Sequence, residues 1–154
     1  MVVFRQYLHD GQRGVYALDG RDVVGHAWAI ICRERKFMAN GYFRLRKNDA
    51  LIHFCRVRKS HRGRSIYPMM LVSLCKRLFA EEGVHRVFVD TEQSNVASIR
   101  GLLKAGFKPL WRASYVNYRS RLIFKRQRPL SPAILEQTVN NGGRSNVCQG
   151  KLDD

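Results

Sequence analysis

Acidic residues are scarce in this chain: 12 Asp and Glu stand against 28 Lys and Arg, for a formal charge of +16. All of that excess lies before Pro129, where 26 bases stand against 9 acids, and the bases concentrate from Arg44 to Arg64 and again from Arg119 to Arg128. A surface so poor in carboxylates seeks anions. A polyphosphate ligand, nucleic acid and an anionic lipid surface all satisfy that preference, as does a merely solvated face, and charge alone does not choose among them.

Long apolar runs are also missing. No stretch approaches the roughly 20 residues of a membrane span, and Met1 to Asp10 lacks the apolar core of a secretory signal, so the expected compartment is the cytoplasm. Cysteine is sparse and scattered: Cys32, Cys55, Cys75 and Cys148 form no C-x-x-C pair. With three of them inside apolar runs, buried reduced thiols are expected rather than zinc ligands or a disulfide framework. The five histidines, His9, His26, His53, His61 and His85, are equally dispersed, which argues against a metal site. No internal repeat is present.

What remains is enough for one domain, since 154 residues with 45% apolar content support a core. Two β-rich stretches, Gly14 to Asp19 and Val23 to Ile31, flank Gly20-Arg21-Asp22 and predict a hairpin. Leu51 to Val57 predicts a third strand, with Arg33 to Ala50 a loop or irregular edge. From Ile66 apolar residues step by four through Met70, Leu74 and Leu78, predicting a core-packing helix to Glu82 that Gly83 stops. Pro68 near its start removes no helical hydrogen bond.

Arg86 to Thr91 predicts a strand. A second helix follows, capped by Ser94, burying Val96, Ile99, Leu102 and Leu103, and ended by Gly106. Strand, helix, strand, helix in that order implies a parallel pair joined by a crossover. Phe107 to Val116 and Asn117 to Lys125 predict a closing β pair. Beyond Pro129 little is left to bury, so residues 129–154 are expected to be a flexible tail with a weak helix at Ala133 to Val139, and the folded domain to span residues 1–128.

The run Arg62-Gly63-Arg64-Ser65-Ile66-Tyr67 carries the most chemistry. It joins a strand to a helix N-terminus, where backbone N–H groups lack intrahelical partners and the peptide dipoles favour negative charge. Asn95 then opens the next helix, and Gly106-Phe107 closes it eleven and twelve positions later. In that order these features resemble the GNAT superfamily of acetyl-CoA-dependent N-acetyltransferases, over roughly Gly14 to Lys125. The family's turn reads Gln/Arg-x-x-Gly-x-Gly/Ala; here Arg62 fits the first position, while Ser65 and Tyr67 stand at the two glycine positions.

The resemblance implies an α/β (α+β) fold: a mixed, mostly antiparallel central sheet with a parallel pair at the cofactor cleft, and flanking helices. It implies transfer of an acetyl group from acetyl-CoA to a primary amine by direct attack. Arg62, Gly63, Arg64, Ser65, Ile66 and Tyr67 would bind the coenzyme A pyrophosphate, with charge from Arg58 and Lys59, and Asn95 and Ser98 on the next helix would join them. Backbone N–H groups of Cys55, Arg56 and Val57 would hold the developing oxyanion. Asp90, Glu92 and His53 are candidate bases for the amine.

Two departures affect that mechanism. Many family members carry a tyrosine seven residues after the helix Asn, where Leu102 stands here, so Tyr115, Tyr118, Tyr67 or water would protonate the thiolate. A Ser65 hydroxyl can donate to a phosphate, provided the turn needs no positive φ there. Cys55 as an acetyl-carrying nucleophile lacks a neighbouring activator in the sequence.

Only about a dozen residues precede Gly14, less than the strand and two helices with which family members begin. Either a second copy of the chain completes the acceptor pocket as a homodimer, or the site is open to a macromolecule, or turnover has been lost. The last case is the alternative function, a degenerate GNAT-like module that binds coenzyme A or nucleic acid without catalysis.

Overall fold

The computed structural model describes residues 2–34, 37–39, 43–118, 121–130 and 147–153. Chain order is α1 (Val2–His9), β1 (Arg13–Asp19), β2 (Asp22–Ile31), β3 (Phe37–Ala39), β4 (Phe43–Leu45) and β5 (Asp49–Val57). There follow a 3-10 turn (Lys59–His61), α2 (Ile66–Glu82), β6 (Arg86–Glu92), α3 (Val96–Lys104), β7 (Lys108–Tyr118), β8 (Arg121–Pro129) and β9 (Val147–Asp153). Seven strands form one sheet in the order β1-β2-β5-β6-β9-β7-β8. Every neighbouring pair is antiparallel except β5 and β6, which run parallel and are joined by α2 as the crossover. This is the mixed α/β fold the sequence implied.

The expected hairpin forms with Asp19 opposite Asp22, leaving Gly20 and Arg21 as its two-residue loop. α2 has the bounds its apolar stripe dictates, and Gly83 ends it in the left-handed conformation. Its buried residues Met70, Leu71, Leu74, Cys75 and Leu78 cover one sheet face, against Ala27 and Ala29 of β2, Ala50 and Ile52 of β5, and Val87 and Val89 of β6. A smaller cluster of Cys32, Leu45 and Leu51 joins the β4 end to the sheet.

Several expectations change. Met1 to Asp10 gave no strong signal, yet 2–9 is helical; Phe4 of α1 stacks on Trp28 at 5.5 Å, and Tyr7 meets the same ring edge-on at 5.3 Å. That anchors α1 over the aromatic side of β2. The segment expected as a loop, Arg33 to Ala50, contains the small β3–β4 hairpin. β7 extends to Tyr118, so its partner starts at Arg121 rather than Asn117.

The largest correction concerns the C-terminal stretch. Residues 147–153, read from composition as part of a flexible tail, form β9 and insert between β6 and β7, pairing with both. Pairing on two edges satisfies a strand's backbone whatever its side-chain hydropathy, and composition does not register that term. The weak helix expected at Ala133 to Val139 lies outside the described residues.

Where β5 and β6 begin to pair, Asp49 stands opposite Arg86. Asp49 is 1% exposed and accepts from Arg86 Nε (2.8 Å), Arg86 Nη2 (2.7 Å) and the backbone N–H of Arg46 (2.7 Å). At the C-terminal end of α2, Glu82 pairs with Arg13 of β1 and with Arg33. Burial pushes its carboxyl up, but the hydrogen bonds and charges of the two arginines outweigh that and hold it below the usual value. No helix among the described residues is long and apolar enough to cross a membrane.

Candidate functional site

β5 and β6 pair only over Asp49 to Ile52 and Arg86 to Val89. Beyond that point the strands continue without pairing to each other. The cause is visible in β5: Trp28 faces His53 and His26 faces Arg56, so one extra residue sits on β5, and Phe54 within it takes φ +49°. A bulge bends and twists its strand, and here it steers β5 away from β6. The edge of β5 from His53 to Val57 that would face β6 therefore presents backbone N–H and C=O groups to a cleft of about 800 Å³.

The cleft's floor is the turn from β5 to α2. Gly63 (φ +80°) and Ser65 (φ +59°) are both left-handed, and Ser65 is the N-cap of α2. This overturns the condition placed on Ser65: the turn does require positive φ there, and serine adopts it at a cost of about 1–2 kcal/mol that glycine would not incur. The first-turn N–H groups of Ile66 and Tyr67, both residues lining the cleft, have no intrahelical acceptor; Pro68, at the third helical position, has none to offer. Lys104 Nζ donates to Ser65 Oγ at 2.6 Å, so a cation already stands over the turn.

α3 forms the opposite wall. Asn95, not Ser94, is its cap: Asn95 Oδ1 accepts from Ser98 N at 3.1 Å. Ile99 and Leu102 are buried, while Leu103, expected inside, is exposed. Tyr67 reaches across from α2, its hydroxyl 3.2 Å from Ser98 Oγ and its ring against Gly101. A Cβ at Gly101 would lie 2.4 Å from that ring, so only glycine lets the two helices approach this closely. Burial pushes the Tyr67 hydroxyl well above the usual phenol value, with the charges of Cys55 and Asp90 adding to it.

Of the residues singled out from sequence, His53, Cys55, Arg56, Val57, Arg62, Gly63, Ser65, Ile66, Tyr67, Asp90, Asn95 and Ser98 all line this cleft. Arg64 and Glu92 are exposed and do not; Glu92 accepts from Ser94 Oγ at 3.5 Å. Tyr115 lies on β7 at a position whose side chain is outside the described residues, and the same holds for Tyr118. Arg100 and Lys104 line the cleft although sequence reasoning passed over them. Their signal was the helical spacing of Ala97, Gly101 and Lys104, small or long residues on the face of α3 opposite Ile99 and Leu102.

His53 lines the cleft from β5. Its Nε2 is 2.8 Å from Gln12 Oε1, in the turn after α1, and Tyr7 meets its ring edge-on at 5.3 Å. An amide oxygen only accepts, so Nε2 carries the hydrogen and Nδ1 keeps its lone pair. Burial lowers the His53 pKa below 6.5, against the opposing charge of Asp90. The Cys55 thiol is pushed up to about 12, chiefly by burial, and stays protonated at neutral pH, which disfavours a covalent route through it. No group of three or more His, Cys, Asp or Glu side chains among the described residues is placed to hold a metal ion.

A model of the acetyltransferase (GNAT) family matches residues 2–107. No curated protein matches the chain significantly in sequence. Solved structures similar in fold include a ribosomal-protein-alanine N-acetyltransferase from Brucella melitensis, with TM-score 0.66 and 18% identity, over 99% of this chain and 75% of that one. A phosphinothricin acetyltransferase from Sinorhizobium meliloti in complex with acetyl-CoA gives TM-score 0.65 and 17% identity, over 99% and 66%. A Bacillus subtilis acetyltransferase in complex with CoA gives 0.62 and 10%, over 99% and 83%.

Proposed function

The chain belongs to the acetyltransferase (GNAT) family, and from that premise we propose that it is an acetyl-CoA-dependent N-acetyltransferase acting on a primary amine in the cytoplasm. The observation that carries this reading is the splay of β5 from β6 directly above an N–H-lined, left-handed turn. The residues fit a coenzyme A thioester. Arg62, Arg100 and Lys104 bring positive charge to the turn, Asp90 at the β6 side is the one acid lining the cleft among the described residues, and the free edge of β5 supplies donors.

When bound, acetyl-CoA supplies an activated thioester carbonyl. The turn from Gly63 to Tyr67 would hold the pyrophosphate through backbone N–H groups. N–H groups of β5 beyond the bulge would face the carbonyl oxygen as charge builds on it. His53 Nδ1 is free to take the amine proton, directly or through a water, because Gln12 occupies Nε2. Asp90 favours the resulting imidazolium through its charge. Tyr67 is held by Ser98, and burial raises its hydroxyl, so it would be a poor donor to a departing thiolate. Asp90 remains the second candidate base, and Glu92 is exposed outside the cleft lining.

Calorimetric titration with acetyl-CoA should show saturable one-to-one binding that persists at moderate salt, followed by thiol release when amines are added. Binding that collapses as salt rises would favour a surface-charge module without catalysis.

The base assignment is tested by NMR titration of the His53 ring. In the unmodified protein it should titrate below 6.5 and carry its hydrogen on Nε2 at neutral pH. A lowered folded-state pKa means that the stability contributed by neutral His53 is complete above 6.5 and is lost as pH falls through the folded value. Gln12→Glu places a carboxylate on Nε2–H and should raise the titration midpoint by about one pH unit or more. The acid limb of kcat/KM should move with it. A limb that stays fixed while the ring titration moves would remove His53 as the base.

A further inference from the structure

The bulge that opens the cleft also places an unusual side chain in it. Phe54 takes φ +49°, a left-handed conformation that suits glycine at a bulge and that a bulky residue rarely holds outside functional sites. Its ring is 49% exposed and lines the cleft. That ring stacks on His26, with centroids 5.2 Å and planes 29° apart, and Tyr7 of α1 meets it edge-on at 6.0 Å. His26 stands directly opposite Arg56, and opposed residues of an antiparallel pair share a face. Phe54 and Arg56 therefore flank the same histidine, and both line the cleft. Arg56 is exposed, and no hydrogen bond or ion pair engages its guanidinium among the described residues. Burial, with the Arg56 charge adding to it, lowers the His26 pKa below 6.5, so the histidine between them brings no charge of its own at neutral pH.

We propose that Phe54 and Arg56 select the acceptor, and that it is a small amine carrying both a flat apolar body and a carboxylate, the chemistry of a free aromatic amino acid. This rests on the acetyl-transfer reading above. An aromatic ring held open to the cleft offers a stacking platform for the body, and a free guanidinium fork fits a carboxylate through two parallel hydrogen bonds. The charge around them excludes the opposite class. Arg56, Arg62, Arg100 and Lys104 line the cleft against Asp90, its one acid among the described residues, so a polyamine would bring further positive charge into a basic site. Transfer forms a bond from the amine nitrogen to the acetyl carbon and breaks the C–S bond. One proton passes from nitrogen to His53 and the thiolate takes one from solvent, leaving an N-acetylated carboxylate.

The probes are L-phenylalanine, L-phenylalaninamide, L-alanine and spermidine, compared by thiol release from acetyl-CoA and by saturation-transfer NMR of each amine with the CoA-loaded protein. L-Phenylalanine should exceed each of the others in kcat/KM by at least about tenfold. The amide has the less basic and therefore more available amine, so amine basicity cannot produce that order. Arg56→Gln should collapse the preference for L-phenylalanine over its amide by about tenfold or more. Phe54→Gly, which keeps the left-handed bulge at no steric cost, should collapse the preference over L-alanine by a similar factor. These are changes of ratio within one variant, which a general loss of folding does not produce. Thiol release that favours spermidine or the amide, or ratios that both variants leave in place, would overturn the acceptor class while leaving acetyl transfer standing. Saturable binding of L-phenylalanine without thiol release, weakened by both variants, would support the site and overturn acetyl transfer. No response from L-phenylalanine in either measurement would overturn the proposal.

Discussion

Replacing Arg86 with alanine is expected to destabilise the fold by about 3–5 kcal/mol, because it strands the Asp49 carboxylate in the interior. Asp49 is 1% exposed and draws both guanidinium hydrogen bonds from Arg86, leaving the Arg46 N–H as the one other donor among the described residues. Arg86 is more open, with 28% of its side chain exposed. The asymmetry decides which partner matters: losing the exposed cation leaves a buried charge, whereas losing Asp49 lets Arg86 turn to water. Urea denaturation should therefore show a larger loss for Arg86→Ala than for Asp49→Ala, and the Arg86→Ala/Asp49→Asn double variant should recover part of it. Equal losses from the two single variants would mean that the pair is screened by solvent and contributes little. The position carries consequence for the cleft because this pair fixes the register from which β5 and β6 diverge.

Legibility in the sequence followed the range of the interactions involved. α2 was readable because its stripe, Pro68 and Gly83 are local signals, and the β1–β2 hairpin because its loop is two residues long. The turn from Arg62 to Tyr67 was readable as a strand-to-helix junction because Gly63 and the apolar stripe that follows it are local signals. What escaped depended on distant partners. Helix α1 is held by Trp28, and β9 by backbone pairing with β6 and β7 on both sides. Neither term appears in the composition of the segment itself. The bulge at Phe54, which opens the cleft, is set by pairing with β2, and no glycine marks it. The Gln12–His53 contact joins residues 41 apart, so sequence could name His53 as a candidate but not say which nitrogen is free.

The turn provides the other large expected effect. Gly63→Pro should weaken acetyl-CoA binding by about 100-fold or more, equivalent to about 2.7 kcal/mol, while leaving the fold cooperative. Gly63 sits at φ +80°, and proline is locked near −65°, so the left-handed bend cannot form. The preceding residue is no obstacle: Arg62 is already extended at φ −69°, ψ 158°, the region a following proline requires. The conflict is therefore confined to Gly63, in a surface turn whose added Cβ would meet nothing within 4 Å. A clash of the added Cβ does not explain a loss of affinity there; the altered path of the N–H groups and the loss of the Gly63 N–H do. Ser65→Gly is the matching control, because it removes the left-handed cost while giving up the Lys104 hydrogen bond. Calorimetry on both variants separates the causes. If the backbone path is what holds the pyrophosphate, Gly63→Pro loses binding and Ser65→Gly retains it. If both bind like the parent, the basic side chains alone hold the ligand and the turn is not the cradle.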